Sequence, residues 1–263
     1  MQIEYRKGIA LYRFRNLSAF PEIRHGVTDR RGGSSAPPYD SLNMARSVGD
    51  RSDRVAANRQ RLWAQFATLE PVLLRQVHSR TVAVLDGHAS TIDEGLAGEA
   101  DAVVTDQQGR LLTILVADCQ AVMLYDPGRK VIANIHSGWR GSIADIIGRT
   151  VAVMTERFAC RPAEIVAGIA PSLGPCCAEF VNYREEIPEA LWSYRVSSHH
   201  FDFWALSRDQ LVRAGLRPEH IETGGICTRC QSDLFFSYRA AHRTGRMAAV
   251  IGMPTSALNA TPS

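Results

Sequence analysis

The sequence predicts an α/β fold, a layered sandwich around a mixed β-sheet. Short apolar runs of strand length end at Gly, Pro or Asp. Helical stretches interrupt them without strict alternation, and a hairpin signal makes at least one strand pair antiparallel. With 263 residues and 45% hydrophobic content, the chain is read as one sizeable globular domain or two small ones, with ample core.

The elements follow in order. The stretch "RGGSSAPPYDSLN" (31–43) is a loop. "SDRVAANRQRLWAQF" (52–66) spaces Val55, Leu62, Trp63 and Phe66 as a helix after a Ser/Asp start. "VLLRQVHSRTVAVL" (72–85) gives strand-like runs on either side of Gln76-Val77-His78, and "ADAVVTD" a short strand. A hairpin around Pro127-Gly128 follows. Ile143, Ile146, Ile147, Thr150, Val151 and Met154 then share one helical face, and Ser142 with Asp145 resembles a capping box. "EIVAGIAPSLG" is a buried strand, "REEIPEALW" and "DFWALSRDQLVRAGL" are helices, and "RMAAVIGM" is a late strand before a polar tail.

Composition excludes several classes of function. A net charge of +3 without basic blocks interleaved with aromatics argues against nucleic acid. The N-terminus carries no signal-peptide pattern, and no apolar run approaches the ~20 residues that span a bilayer. Six cysteines in a chain of this length read as reduced thiols, so a soluble cytoplasmic protein is expected.

The hairpin carries the chemistry. In "DCQAVMLYDPGRKVIANIHSGWRG" (118–141) a two-residue turn at Pro127-Gly128 places Cys119 opposite His136, with β-carbons ~5 Å apart, a spacing that suits two ligands of one metal ion. Buried reduced cysteine and hydrogen-bonded histidine are the plain alternatives. His78, polar between two apolar runs, offers a third ligand or an edge-strand histidine facing water. After His136, Gly138, Arg140, Gly141 and a helix starting near Ser142 form either an anion cradle or an ordinary strand-to-helix turn. Three ligands with an open position would make a catalytic rather than structural site.

The motifs "HGVTDRRGG", "SLNMARSVGD", "NRQRL", "RQVHS", "ADAVVTD", "VADCQAVMLYDP", "HSGWRG", "GIAPSLGPCCAEF" and "CTRCQSDLFFSYR…TGR" occur in this order from His25 to Arg246. In them the chain resembles the bacterial YfiH-type family, known both as polyphenol-oxidase or laccase-domain proteins and as purine nucleoside phosphorylases. The resemblance implies a single metal-dependent catalytic domain over 1–263, a three-layer α/β fold shared with the catalytic domain of cytotoxic necrotizing factors, and a metal triad of His78, Cys119 and His136. Zinc is the implied metal, with copper for an oxidase activity. The implied reactions are phosphorolysis of adenosine, inosine, guanosine and 5′-methylthioadenosine, and deamination of adenosine. Purine nucleosides and phosphate are then the partners, and the chain is a monomer or homodimer.

Within that frame, Asp118 beside Cys119, and Glu179 after Cys176-Cys177, are the candidate proton shuttles. Asp118 has a plainer alternative: orienting His136 or capping a turn. Arg140, Arg239 and Arg246 are expected to clamp phosphate, while Asn43, Arg59 and the 30–33 loop line the pocket. Three rivals stand beside this reading. A true multicopper laccase needs a larger histidine set, and the eight histidines here contain no His-x-His pair, although Met123 near Cys119 would suit a blue-copper site. A cysteine hydrolase editing cell-wall precursors would use Cys119 and His136 as nucleophile and base. A metal-stabilised binding module would use Cys227-x-x-Cys230, for which adjacent Cys176-Cys177 are awkward partners.

Overall fold

Every residue of two strands, β8 (Gln120–Asp126) and β9 (Val131–Ser137), is buried, so both faces of this hairpin must be covered. The computed structural model describes residues 1–86 and 98–255. The remaining strands are β1 (Gln2–Arg6), β2 (Ile9–Arg13), β3 (Arg24–Thr28), β4 (Glu70–Leu73), β5 (Val82–Leu85), β6 (Ala102–Thr105), β7 (Arg110–Val116), β10 (Val166–Ile169), β11 (Ile221–Thr223) and β12 (Met247–Gly252). The helices are α1 (Arg15–Ser18), α2 (Ser52–Trp63), α3 (Trp139–Ile143), α4 (Ile146–Phe158), α5 (Tyr183–Glu186) and α6 (Phe203–Arg213).

The α/β sandwich expected from sequence is present, with two mixed six-stranded sheets at its centre where one was expected. The first runs β1-β2-β3-β12-β7-β4 and the second β11-β10-β8-β9-β6-β5. Both are mainly antiparallel. Parallel pairs occur only at edges: β4 on β7, β5 on β6 and β11 on β10. Side-chain alternation along β8 explains the double cover. Ala121, Met123 and Tyr125 join the core between the sheets, while Val122 and Leu124 join the core under α4 and α6. On the outer face of the first sheet, Leu62 of α2 packs with Leu42, Met44 and Leu111. Asn134 of β9 also crosses between the sheets, donating to the carbonyls of Leu112 and Ala249 at 2.9 Å each.

Several local expectations need correction. Asp126 pairs with Val131, so residues 127–130 form a four-residue loop, closed by Lys130 at φ 53°, rather than a two-residue turn. The register moves accordingly, and His136 faces Ala121 instead of Cys119. A shift of two residues preserves the face, so Cys119 and His136 remain on one side as diagonal neighbours. The helix expected near Ser142 is split: Asp145, at φ 54°, interrupts it and caps α4 by accepting from the Gly148 N–H. Ser142 is therefore no capping residue; its hydroxyl bonds the Gly138 carbonyl. Pro188 breaks "REEIPEALW" into α5 and a 3₁₀ segment, Glu189–Tyr194. The polar tail beyond residue 255 and His88 lie outside the described residues.

Candidate metal centre and cleft

Three side chains from distant parts of the chain meet at the open end of the β8–β9 hairpin. Cys119 lies just before β8, His136 near the end of β9, and His78 on the loop after β4. Their donor atoms all lie within 4.8 Å of one another, and the Cys119 Sγ is 3.8 Å from the His78 Nε2. The two imidazoles stand edge to face with centroids 4.8 Å apart. His136 is buried, Cys119 half-buried and His78 exposed.

Asp101, fully buried just before β6, holds this arrangement, and sequence reasoning missed it. Its Oδ1 lies 2.8 Å from the His136 Nδ1, which leaves the His136 Nε2 free to act as a ligand. The same carboxylate accepts the N–H groups of Val77, His78 and Ser79 and the Ser79 hydroxyl. One carboxylate thus orients one histidine and pins the loop carrying the other. Gln76 pins that loop from the opposite side. Its amide donates to the Leu115 carbonyl at 2.9 Å and accepts the Leu115 N–H at 2.8 Å, extending the β4–β7 ladder after β4 has ended. His78 (φ 60°) and Asp118 (φ 82°) both hold left-handed backbone, a strain tolerated where the surroundings over-determine it. A charged residue in "ADAVV" and a glutamine two residues before His78 were the available sequence signals.

The electrostatics agree with the packing. Burial pushes the Cys119 thiol up, but facing His136 and His78 outweigh it and hold its pKa at about 6. For His136 burial acts downward, and Cys119 and Asp101 raise it to about 9. Burial likewise opposes ionisation of Asp101, yet its bonds from His136 and Ser79 hold it at about 2. A thiolate and two imidazoles form a donor set of intermediate softness, suited to zinc or copper. Gly138 leaves the room they need. A Cβ there would lie 2.8 Å from the His78 Cδ2 and 3.2 Å from the Cys119 Sγ.

This set opens into a cleft of about 1150 Å³. Its described lining carries five arginines (Arg46, Arg75, Arg140, Arg239 and Arg246) against one carboxylate, Asp118, so the cleft favours an anion. Trp139, Phe180 and Tyr238 supply aromatic walls, each with an arginine over its ring: Arg140 at 4.2 Å, Arg239 at 5.2 Å and Arg246 at 5.9 Å from the centroids. Because α3 has only five residues, Arg140 itself rather than a helix terminus supplies positive charge there.

The other sequence candidates fall differently. Asp118 lines the cleft, but it accepts from the Thr228 hydroxyl at 2.6 Å and from the Arg239 N–H at 2.7 Å, and Asp101 rather than Asp118 orients His136. Glu179 is exposed and outside the cleft lining; its backbone carbonyl accepts from Arg239. Asn43 is buried and knits its loop together, bonding Ala45, Asp50 and the Arg246 N–H. Arg59, also buried, donates to the Met44 carbonyl. Neither lines the cleft. The 30–33 loop is also outside it, with Arg30 bonded to the carbonyls of Asp40 and Ser232.

The family described as multi-copper polyphenol oxidoreductase laccase matches residues 24–254. The chain belongs to that family. Among its relatives, the purine nucleoside phosphorylase YfiH of Shigella flexneri is 34% identical over 230 residues, covering 84% of this chain and 90% of that protein. The purine nucleoside phosphorylase YlmD of Geobacillus stearothermophilus is 33% identical over 243 residues, covering 86% and 89%. The crystal structure of YlmD from Geobacillus stearothermophilus superposes with a TM-score of 0.83 at 29% identity, covering 96% of this chain and 98% of that one. That of YfiH from Bacillus licheniformis gives 0.82 at 26% identity, covering 94% and 97%. The laccase-family fold is thus shared along nearly the whole chain. Among its described residues, no helix is long and apolar enough to cross a membrane.

Proposed function

We propose that the chain is a zinc-dependent purine nucleoside phosphorylase acting on adenosine, inosine, guanosine and 5′-methylthioadenosine, with a subsidiary adenosine deaminase activity. The observation that carries the reading is the convergence of Cys119, His78 and His136 at the base of a cleft lined by arginines and aromatic rings. His78, Cys119 and His136 would hold the metal, which when bound supplies Lewis acidity and lowers the pKa of water. Relatives at 33–34% identity bearing the phosphorylase name support the choice of reaction.

Phosphorolysis needs phosphate held near the anomeric carbon while positive charge develops on the sugar. Arg140, Arg239 and Arg246 are assigned to phosphate, since guanidinium forks match its oxygens. Trp139, Phe180 and Tyr238 offer faces for the purine. Asp118 is assigned to positioning Arg239 through its backbone N–H rather than to proton transfer, because both its oxygens already accept hydrogen bonds. Exposed Glu179 receives no role. A reducing cytoplasm suits a centre that needs the Cys119 thiolate, and all six cysteines are free.

One observation favours a second reading. Asp101, His136 and Cys119 line up as carboxylate, imidazole and thiol, the order of a cysteine hydrolase. A nucleophile of that kind needs one imidazole, however, and here His78 faces the same sulfur at 3.8 Å. The copper-oxidase reading has less support. Among the described residues the only other His/Cys/Asp/Glu cluster of ligand geometry is all-cysteine, so histidines for a trinuclear copper centre are lacking. Met123 packs in the core between the sheets, ~13 Å along the strand from Cys119.

The test is metal analysis paired with a phosphate titration. Inosine should yield hypoxanthine only when phosphate is supplied, and His136→Ala should abolish turnover. Phosphate-independent release would reject phosphorolysis. Rapid inactivation of metal-loaded protein by iodoacetamide at Cys119 would favour the hydrolase instead.

A further inference from the structure

We propose that Cys176, Cys177, Cys227 and Cys230 form a second metal site, a closed tetrathiolate that binds zinc for structure rather than catalysis. The four sulfur atoms all lie within 4.8 Å of one another. The Cys230 Sγ is 3.5 Å from those of both Cys176 and Cys177. Around a tetrahedral zinc with Zn–S bonds near 2.3 Å, neighbouring sulfurs stand about 3.8 Å apart, within the range found here. A disulfide needs about 2.05 Å and joins only two of the four. Convergence of all four on one point is what a single soft cation explains.

The backbone makes adjacent Cys176 and Cys177 suitable partners. Residues 174–178 form one helical turn, in which the N–H groups of Cys177 and Ala178 both donate to the Gly174 carbonyl. On that turn the sulfurs of both residues turn to the same side and reach the Cys230 Sγ at 3.5 Å each. Cys227 and Cys230 come from a second turn, closed by the Gln231 N–H on the Cys227 carbonyl. The two turns are laced together by the Ser172–Cys227 bridge. The Gly174 N–H donates to the Cys227 Sγ at 3.3 Å, a bond that favours thiolate. Gly174 is required there: a Cβ would come within 3.0 Å of the Cys227 Cβ and 2.9 Å of the Trp204 ring. Cys177 and Cys227 are buried, Cys176 and Cys230 exposed, which leaves an entry path.

The site rivets one wall of the cleft. Thr228, next to Cys227, donates to Asp118, whose other oxygen holds the Arg239 N–H. Zinc at the four sulfurs would tie the turn before Phe180 to the turn before Arg239, the two sides of that wall.

The test uses purified full-length protein and cobalt as the probe. In His136→Ala, where the first donor set is broken, one equivalent of Co²⁺ should give the intense visible bands of tetrahedral thiolate coordination. Cys230→Ser in the same background should lose them. In protein never exposed to chelator, zinc content should fall by one equivalent in Cys230→Ser relative to wild type. A measurement without variants guards against misfolding. Peptide-resolved alkylation of Cys176, Cys177, Cys227 and Cys230 should be slow and rise at least ~10-fold on chelation. Cobalt bands indifferent to Cys230→Ser, fast alkylation before chelation, a mass deficit marking a disulfide, or iron in place of zinc would each overturn the proposal.

Discussion

Asp101 accepts from His136 at 2.8 Å through the same oxygen that receives the His78 N–H at 3.0 Å. Two of the three converging donors thus depend on one buried carboxylate, and disturbing it should disturb both.

Asp101→Asn keeps the size but loses the charge, and an amide NH₂ turned to His136 would oppose the tautomer that leaves Nε2 as the ligand. Metal affinity should fall 10- to 100-fold, as for other partners behind metal-bound histidines. A competition titration against a chromophoric chelator measures this; unchanged affinity would dissociate Asp101 from the centre.

Gly138→Ala should damage the centre with little effect on the fold, because the added Cβ meets the His78 ring and the Cys119 sulfur rather than backbone. Expected is a loss of metal affinity of at least ~10-fold, with thermal unfolding of the metal-free protein close to wild type. Full retention of the metal would mean that the donors lie farther from Gly138.

In metal-free protein the Cys119 thiolate and His136 imidazolium coexist between about pH 6 and about pH 9. Acid protonates the sulfur at the lower limit, and base removes the imidazole proton at the upper. Since the folded thiol pKa is depressed, the stabilisation it contributes is lost as pH falls through about 6; that from His136, whose pKa is raised, is lost as pH rises through about 9. Alkylation of Cys119, followed by peptide mass spectrometry, should show a midpoint near 6 that moves upward in His136→Ala. A wild-type midpoint in the ordinary thiol range would contradict the ion pair.

Arg246→Met should raise the KM for phosphate about 10-fold or more, the equivalent of one lost charge-assisted bond, with a smaller change in the nucleoside KM. Initial rates over a phosphate series decide it. Equal effects on both substrates would assign Arg246 to general packing, where its own bonds to the Thr244 and Gly245 carbonyls already place part of it.

Gln76→Leu removes both bonds to Leu115 and leaves a backbone N–H and carbonyl without those partners. The expected cost is about 1–3 kcal/mol, read as a lower Tm, together with weaker metal binding through a loosened His78 loop. Unchanged stability would show that water replaces the amide.

Much of this protein was legible in one dimension. Helical spacing located α2 and α6, each of which buries one face, and continuous apolar runs located β10 and β12, which are buried at every residue. The "RQVHS", "ADC" and "HSGWRG" motifs named His78, Cys119 and His136. Tertiary structure decided what no repeat encodes. The loop at 127–130 set the hairpin register, since a turn's backbone angles, not its Pro-Gly letters alone, determine how many residues it takes. Sheet packing divided the strands between two layers and turned Asn43 and Arg59 inward as loop anchors. Asp101 acquired its role only when β6 came to lie beside β9. A residue's type limits the bonds it can make, but which partners it meets is settled by contacts between segments far apart in the chain.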